Sequence, residues 1–302
     1  MVENIDITFL GTGSPVPTVR RNHPAILLKY KDENILVDCG EGTQRQFRKA
    51  GLNFCKVTKI LITHWHADHV LGIPGMLQTM IMNGYNKKLE IYGPKGTKKM
   101  MANYLGLFIR KGAKFEMDVF EVGDEKFFEN DEIVLESSQM DHDCPVVGYS
   151  FTIKEKNRLD KEKLKKLKLP NSPLLAKLVK GESVEIDGKK IDGKDLTYSE
   201  PMRKVSFVID TRYNNNAVSL AKDSDLLICE STFSKNEGED AFEKGHMTSV
   251  EAAKIAKESG SKALALIHLS QRYEGIPKMI LEEAKEVFEN TIIPEDLDEI
   301  KL

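Results

Sequence analysis

The stretch "THWHADHVLG", residues 63–72, places three histidines and one aspartate within six consecutive positions. The whole chain has 302 residues and only seven histidines, so nearly half of them lie here. Neutral imidazole is the commonest nitrogen ligand for transition metals, and carboxylate oxygen accompanies it at sites for divalent ions. The stretch therefore predicts a metal site.

The spacing in H-x-H-x-D-H indicates two ions. His64 and His66 occupy alternate positions, from which both rings can reach one ion on an extended or tightly turning backbone. Asp68 and His69 are adjacent and point in different directions, which suits a second ion nearby. A polar helix start is the alternative interpretation, but it does not explain why four residues of ligand type occur together.

Other residues of ligand or acid type follow apolar, strand-like runs elsewhere in the chain. The runs are 56–64, 131–142, 204–211, 224–232 and 261–268, and the residues at or near their ends are His64, His142, Asp210, Glu230 and His268. Side chains that follow strands collect at one edge of a sheet, because the sheet holds the polar loops there in place. We therefore expect these five residues on one face of the fold.

Helical patterns separate the strand-like runs. Residues 249–260 have apolar positions at helical spacing, after a T-x-x-E capping box from Thr248 to Glu251 and before a terminating Gly260. Strands that alternate with helices predict an α/β or α+β fold with a layered sheet core.

Composition limits the class of protein. The chain is 40% apolar and 30% charged and lacks both a leader-like N-terminus and an apolar run of membrane-spanning length, so we expect a soluble, cytoplasmic protein without a membrane partner. The four cysteines are far apart and form no C-x-x-C pair. They are expected to be buried, reduced thiols rather than a disulfide framework or a thiolate zinc site.

Positive charge is concentrated in one segment, although the net charge of the chain is -3. Residues 154–180 contain ten Lys or Arg and three Asp or Glu, a balance of +7, so the other residues sum to -10. The segment lies between His142 and Asp210 and contains no expected ligand. It predicts a basic insertion that meets a polyanion, with a solvated pair of basic helices as the alternative.

The order of motifs along the chain resembles the ribonuclease Z family of the metallo-β-lactamase superfamily. The H-x-H-x-D-H block alone points to the superfamily, whereas "DCGEGTQRQ" (38–46) and "HLSQRY" (268–273) point to the tRNA-processing branch. Further matching stretches are "FLGTGSPVPTVRRN" (9–22), "DHDCPVVGYS" (141–150), "FVIDTR" (207–212), "ESTF" (230–233) and "GHMTSVEAA" (245–253).

The resemblance implies a four-layer αββα sandwich, the metallo-β-lactamase fold, as a single domain over residues 1–302. It also implies an inserted, protruding arm at 154–195 that binds tRNA away from the active site. The implied activity is that of a metal-dependent endoribonuclease, which removes the 3′ trailer from precursor tRNA near the discriminator nucleotide and leaves a 3′-hydroxyl on the tRNA. A homodimer is implied as well.

The resemblance also assigns the ligands of two zinc ions per subunit. His64, His66 and His142 would hold the first ion, Asp68, His69 and His268 the second, and Asp210 both. Manganese or iron also suits a set of nitrogen and oxygen donors. Two such ions activate a water for attack on a phosphodiester. Asp68 would orient that water and accept its proton, and His246, oriented by Glu230, would protonate the departing 3′ oxygen.

Residues that contact RNA are expected in two places. The candidates are Lys161, Lys163, Lys165, Lys166 and Lys168 in the arm, and Arg20 and Arg21 in "RRNHPA". Two other functions remain open at this point. One is hydrolysis of small phosphodiesters or other esters by an enzyme of the same fold, and the other is metal-free RNA binding.

Overall fold

A computed structural model describes residues 3–109, 115–166, 174–186 and 189–302. The strands within those residues are β1 (Asp6–Gly11), β2 (Ala25–Tyr30), β3 (Glu33–Val37), β4 (Lys59–Leu61), β5 (Lys88–Gly93), β6 (Glu116–Glu121), β7 (Glu125–Glu129), β8 (Ile133–Gln139), β9 (Val147–Ile153), β10 (Lys156–Leu159), β11 (Ser183–Ile186), β12 (Lys189–Asp192), β13 (Thr197–Glu200), β14 (Arg203–Val208), β15 (Leu226–Glu230), β16 (Leu264–Ile267), β17 (Thr291–Ile292) and β18 (Glu299–Lys301).

The helices in the same residues are α1 (Thr43–Lys49), α2 (Ala67–Val70), α3 (Gly72–Met82), α4 (Thr97–Phe108), α5 (Lys161–Lys166), α6 (Leu174–Val179), α7 (Gly193–Leu196), α8 (Asn215–Leu220), α9 (Gly238–Glu243), α10 (Ser249–Glu258) and α11 (Pro277–Lys285). Short 3₁₀ turns occupy Phe54–Lys56, Lys235–Glu237 and Gln271–Tyr273. Among the described residues, no helix is both long enough and apolar enough to cross a membrane.

Two seven-stranded sheets form the main body. The first has the order β18-β1-β2-β3-β4-β5-β6, and the second has the order β17-β16-β15-β14-β9-β8-β7. Strands β3 to β6 run parallel in the first sheet, as do β14 to β17 in the second. Each parallel set therefore presents the carboxyl ends of several strands along one edge, where polar loops can converge.

The inner faces of the two sheets pack against each other. The Tyr149 hydroxyl donates to the Ile62 carbonyl over 2.7 Å, and the Val147 amide donates to the Thr63 carbonyl over 3.0 Å. The outer face of the first sheet is covered by α1, α3 and α4, and that of the second by α8, α10 and α11. This order of layers, helix, sheet, sheet, helix, is the predicted αββα sandwich.

Helix α10 begins and ends as the sequence predicts. The Thr248 side chain accepts from the Glu251 amide, and the Glu251 side chain accepts from the Thr248 amide, so both halves of the capping box form. Gly260 follows the C-terminus with φ of 68°, a left-handed conformation that glycine adopts without a steric penalty.

The C-terminal segment completes the first sheet. Strand β18 pairs antiparallel with β1, so residues near the end of the chain extend a sheet that begins at its start. The Asp296 carboxylate accepts from the Thr12 amide at 3.0 Å, the Asn22 amide at 2.7 Å and Gln46 Nε2 at 2.8 Å. These bonds join the segment to the loops that follow β1 and precede β2, and to helix α1.

Residues 129–134 and 152–203 form a separate compact unit. Within it, β10 pairs with β13, and β11 pairs with β12. Its small core consists of Leu178, Val184 and Leu196, with partly buried neighbours on β10, α5, α6 and β12. The predicted arm, 154–195, falls inside this unit, and its role in binding tRNA stays a prediction.

Candidate metal centre

The quoted stretch lies on the turn from β4 into α2. His64 and His66 follow the end of β4, and His66 is the residue that immediately precedes the helix. Asp68 and His69 lie in the single turn of α2 that follows. A strand, a sharp turn and one helical turn therefore bring four side chains to one edge of the first sheet, because the helical turn reverses the direction in which the last two point.

The remaining predicted ligands come from the second sheet. His142 lies between β8 and β9, Asp210 lies two residues after β14, and His268 directly follows β16. His268 has φ of 59°, which is unusual for a residue with a side chain. Such backbone conformations persist only where the surrounding structure determines them, and here the strained residue is a buried ligand candidate.

The structure brings all seven predicted ligands together in two adjoining clusters. The first contains His64, His66, His142 and Cys144, and the second contains Asp68, His69, Asp210 and His268. Within each cluster the potential ligand atoms lie within 4.8 Å of one another. Asp210 Oδ2 is 3.2 Å from both His69 Nε2 and His268 Nε2, and 3.6 Å from His64 Nε2. Its carboxylate therefore lies between histidines of the two clusters.

The donor set suits a metal ion. Among the described residues, His64 Nε2 and Asp210 Oδ1 are buried without any hydrogen-bond partner. A buried polar atom without a partner costs about 1–3 kcal/mol, so such atoms are rare in folded proteins. A cation between the clusters would satisfy both atoms, and the nitrogen and oxygen donors are those that zinc, manganese and iron accept.

Hydrogen bonds to Asp38 and Thr63 orient two of the imidazole rings. Asp38 Oδ2 is 2.7 Å from His69 Nδ1, and Asp38 Oδ1 accepts from the Thr63 amide at 2.8 Å. Thr63 Oγ1 lies 3.1 Å from His64 Nδ1. With the Nδ1 atoms engaged, both rings present Nε2 to the centre, as metal-binding histidines do when the other nitrogen has a partner.

His142 and His268 are held in the same way by groups of the second sheet and its loops. His142 Nδ1 lies 2.7 Å from the Gly245 carbonyl, and His268 Nδ1 lies 2.8 Å from Thr232 Oγ1. Gly245 has φ of 77°, and a Cβ there would lie 2.5 Å from His142 Nδ1. Glycine is therefore required at this position for both its conformation and the space it leaves.

Charges within the centre compensate one another. Burial and the neighbouring His69 hold the pKa of His64 well below its usual range. Burial also opposes a proton on His69, but the carboxylates of Asp210, Asp38 and Asp68 outweigh it and hold the pKa of that ring well above its usual range. Despite burial, His69 and His268 hold the pKa of Asp68 below its usual range. A bound cation would replace the protons that these carboxylates now favour.

His246 lies beside the clusters and pairs with Glu230. His246 Nδ1 is 3.2 Å from both Glu230 carboxylate oxygens, which also accept from the Thr211 amide and from Thr232 Oγ1, each at 2.6 Å. Burial works against a charged ring, but Glu230 outweighs it and raises the pKa of His246 to about 9. The raised pKa favours the protonated ring at neutral pH. The centroid of the His246 ring is 5.4 Å from that of His268, so the ring lies beside the second cluster.

Comparisons with known proteins show the family of the chain. Residues 5–159 match the family model "Anti-Pycsar protein Apyc1", which places the first half of the chain, with His64 to His69 and His142, in that family. Ribonuclease Z of Methanosarcina acetivorans is 37% identical over 300 residues, which cover 98% of this chain and 97% of that protein. Ribonuclease Z of Methanothermobacter thermautotrophicus is 39% identical, with 97% and 95% covered. The chain belongs to the ribonuclease Z family.

Solved structures support the family and its fold. The crystal structure of human tRNase Z, short form, is 27% identical, with a TM-score of 0.70 and 98% of both chains covered. The metallo-β-lactamase fold protein YhfI from Bacillus subtilis is 19% identical, with a TM-score of 0.72 over 99% of this chain and 100% of that one. The predicted metallo-β-lactamase fold of this ribonuclease Z family member is thus confirmed.

Several residues of the centre were missed in the sequence. Asp38 directly follows β3 in "ILVDCG", so the strand-end pattern that indicated the other ligands also applied to it. Thr63, Thr232 and the Gly245 carbonyl carry no signal of their own, because hydroxyl and carbonyl groups occur throughout any chain. Cys144 was expected to be an inert buried thiol, but it lies in the first cluster.

The expectation of RNA contact at Arg21 is wrong. The Arg21 side chain is buried, and its Nη1 donates to Thr12 Oγ1 at 2.6 Å and to the Pro294 carbonyl at 2.7 Å. A guanidinium group with these internal partners is not available to phosphate. The neighbouring Arg20 is exposed. Two of the cysteines also differ from expectation, since Cys55 and Cys144 are only partly buried, whereas Cys39 and Cys229 are buried free thiols.

The lysines proposed for the arm are described only in part. Lys163 and Lys165 are exposed on α5, and Lys163 Nζ donates to the Asp195 carbonyl at 2.8 Å. Lys161 and Lys166 are the first and last residues of that helix. Lys168 lies outside the described residues. Their contact with RNA stays a prediction.

Proposed function

We propose that this protein is a tRNA 3′-processing endoribonuclease that removes the 3′ trailer from precursor tRNA near the discriminator nucleotide. The observation that carries the proposal is the pair of adjoining ligand clusters linked by Asp210, in a chain that matches proteins named ribonuclease Z over nearly its full length. Hydrolysis by an activated water leaves the 3′-hydroxyl on the tRNA.

The cofactors of the proposed enzyme are two zinc ions per subunit, with manganese and iron as chemically acceptable replacements. His64, His66 and His142 would hold the first ion, Asp68, His69 and His268 the second, and Asp210 both. When bound, such a pair supplies positive charge to the scissile phosphate and lowers the pKa of a water. Buried ligand atoms without hydrogen-bond partners, His64 Nε2 and Asp210 Oδ1 among them, support this assignment over a metal-free RNA-binding protein.

Asp68 is proposed to orient the attacking water and to accept its proton. Its Oδ2 atom lies 3.3 Å from His69 Nε2 and 3.4 Å from His268 Nε2, at the edge of the second cluster. The neighbouring rings keep the carboxylate ionised by holding its pKa low. An ionised, fixed carboxylate can accept a hydrogen bond from water and set the direction of its attack.

His246 is proposed to protonate the departing 3′ oxygen. The ring carries a proton at neutral pH because Glu230 raises its pKa to about 9, although burial opposes this. Glu230 is fixed by the Thr211 amide and the Thr232 hydroxyl, so it also holds the direction of the ring. A positioned donor is needed because an alkoxide is a poor leaving group without a proton.

The arm, residues 154–195, is proposed to bind the tRNA body away from the scissile bond. Residues 154–180 carry a balance of +7, while the rest of the chain is acidic, so local charge must attract the polyanion. Lys161, Lys163, Lys165, Lys166 and Lys168 are the candidate phosphate contacts, together with the exposed Arg20. Binding energy from such remote contacts positions the scissile phosphate.

The assembly and the location belong to the same proposal. A homodimer is suggested by the family resemblance, and Met82 on α3 and Leu107 on α4 are exposed apolar side chains that such a contact could cover. Equilibrium sedimentation over a range of concentrations would measure it. Precursor tRNA as substrate and thiols that remain free are in keeping with action in the cytoplasm.

The decisive experiment is incubation of the zinc-loaded protein with a precursor tRNA that carries a 3′ trailer. The expected product is tRNA cut just after the discriminator nucleotide with a 3′-hydroxyl end, and a chelator should abolish its formation. The same tRNA without a trailer is the matched control. Rapid hydrolysis of small phosphodiesters with intact precursor tRNA would instead favour the alternative function, a phosphodiesterase of the same fold.

A further inference from the structure

The first ligand cluster contains a fourth potential ligand, the thiol of Cys144. Its sulfur lies within 4.8 Å of the ligand atoms of His64, His66 and His142. The residue sits two positions after His142, on the loop between β8 and β9. The chain turn that delivers His142 to the cluster therefore delivers the sulfur as well.

The spacing of these atoms is close to that of a shared ion. Donor atoms of a tetrahedral zinc ion lie about 3.3–3.6 Å apart, given Zn–N of about 2.0–2.1 Å and Zn–S of about 2.3 Å. His66 Nδ1 and His142 Nε2 are 3.3 Å apart. Small side-chain rotations would bring the sulfur and the remaining nitrogen to the same spacing, since none of the four exceeds 4.8 Å from another.

A second observation points to a ligand at the same place. The His64 side chain is fully buried, and its Nε2 has no hydrogen-bond partner anywhere in the described part of the chain. Its Nδ1 already lies 3.1 Å from Thr63 Oγ1, so Nε2 is the atom that is presented to the cluster. A buried nitrogen oriented in this way requires a cation or a donor to compensate it.

The surroundings of Cys144 leave space beside the sulfur. The residue lines a cavity of about 360 Å³, together with Pro94, Gln139 and Met140. The thiol therefore has room to turn toward the cluster.

We propose that Cys144 is a further ligand of the first ion, beside His64, His66, His142 and the shared Asp210, so that this site has a sulfur donor that the second site lacks. The second cluster offers two nitrogens and two carboxylates. The first site therefore has a softer donor, the sulfur, than any donor of the second. Thiolate and imidazole favour zinc over manganese, whereas carboxylate accepts both. Manganese should therefore replace zinc at the second site and leave the first ion in place. The inference rests on the metal centre of the proposed function.

X-ray absorption at the zinc edge tests this assignment without any use of RNA. The wild-type protein loaded with two zinc ions should show one sulfur scatterer per two zinc ions at about 2.3 Å, beside nitrogen and oxygen at about 2.0–2.1 Å. Cys144→Ser should lose the sulfur signal. Cys55→Ser is the matched control, because Cys55 is also partly exposed but lies outside both clusters, and it should keep the signal.

Metal competition gives a second readout. Excess manganese should displace one zinc ion from the wild-type protein. The manganese concentration that displaces the remaining zinc ion should be about tenfold lower for Cys144→Ser than for the wild type. If zinc in the wild type is bound through nitrogen and oxygen alone, the proposed role of Cys144 is wrong. The proposed nuclease activity is not affected by that result. A protein that binds no zinc would overturn the proposed metal centre itself.

Discussion

The metal centre and the compact unit that contains the arm, here called the arm unit, differ in how firmly the fold holds their functional side chains. In the centre, His64, His69 and His268 are fully buried at the edges of the two large sheets, and each has a hydrogen-bond partner that holds its ring. The unit at 129–134 and 152–203 has a small core around Leu178, Val184 and Leu196 in its described part. Exposed lysines lie on its surface: Lys163, Lys165, Lys177, Lys180 and Lys194.

This difference suggests that the centre determines the rate of cleavage and that the arm determines the affinity for RNA. The large core determines the positions of the ligands, so a single substitution in the centre removes a chemical group while the fold stays intact. The arm contributes charge through many similar side chains, each of which makes a small difference. Changes in the centre are therefore expected to act on the rate of cleavage, and changes in the arm on binding.

The largest effect is expected for Asp68→Ala. The substitution removes one ligand of the second cluster and the group that orients the water, so the loss should exceed the 10²- to 10⁴-fold typical of a single acid-base group. Single-turnover cleavage of precursor tRNA measures the rate, and circular dichroism and tRNA binding should stay unchanged. Asp118→Ala, which removes an exposed carboxylate paired with Lys88, is the matched control. Activity within tenfold or so of wild type would contradict the assignment.

The next largest effect is expected for His246→Ala, and its dependence on the substrate distinguishes a proton donor from a metal ligand. His246→Ala should slow cleavage of precursor tRNA by about 10²- to 10⁴-fold, because the departing alkoxide loses its proton donor. An aryl phosphodiester should be hydrolysed at nearly the wild-type rate, since its phenolate leaves without a proton. Glu230→Gln should reproduce the pattern in weaker form. Equal losses on both substrates would indicate that His246 acts as a ligand or a structural residue.

A smaller effect on rate, but a large one on binding, is expected when the arm is removed. Leu159 pairs with Thr197 where β10 meets β13, so residues 160–196 can be replaced by a short Gly/Ser linker that closes this hairpin. The shortened protein should bind metal and hydrolyse a small phosphodiester as before. Its affinity for precursor tRNA should fall, and the slope of log affinity against log salt should decrease by about 0.9 for each phosphate group that the arm no longer neutralises.

The same measurement can contradict the role of the arm. If the shortened protein binds precursor tRNA as tightly as the full chain and with the same salt slope, the lysines are solvated surface and the RNA is held elsewhere. The control is a protein of unchanged length with Lys257→Ala and Lys278→Ala, because both lysines are exposed and lie outside the arm unit. It shows how much of any change comes from the removal of positive charge alone.

The smallest effects on tRNA binding are expected for substitutions of Arg20 and Arg21. The Arg21 substitution should change the stability of the fold, and the Arg20 substitution should change the salt dependence of binding. Arg21→Ala should lower the free energy of unfolding by about 1–3 kcal/mol, because the buried Pro294 carbonyl and Asp296 lose a partner, with little change in salt slope. Arg20→Ala should leave stability unchanged and lower the slope by at most about 0.9. Urea unfolding and salt titration of tRNA binding measure the two. Equal effects in both variants would contradict the distinction.

Local patterns in the sequence predict the ligands well and the packing around them poorly. His142, Asp210 and His268 each follow a strand, so the rule that strand ends converge was sufficient to place them. Asp38 obeys the same rule and was overlooked. The number and order of the layers came from the family resemblance, because strand-like runs alone indicate a class of fold and not which strands pair.

Contacts between distant parts of the chain were beyond local inference. "RR" at residues 20 and 21 has the pattern of a solvated loop, yet Arg21 is buried because Pro294 and Asp296 return to it from more than 270 residues away. Likewise, β18 is three residues long and charged at both ends, so no periodicity predicts that it pairs with β1.

The return of the C-terminal segment to the first sheet also bears on synthesis of the protein. A ribosome releases β1 to β6 and the ligands on α2 early, but β18 and Asp296 emerge much later. Until then the edge of β1 is unpaired, and the loop at Thr12 lacks its carboxylate acceptor. The first sheet therefore cannot be completed until residues 296–301 have been made, and a product that stops short of residue 296 would keep an open sheet edge, at which chains can aggregate.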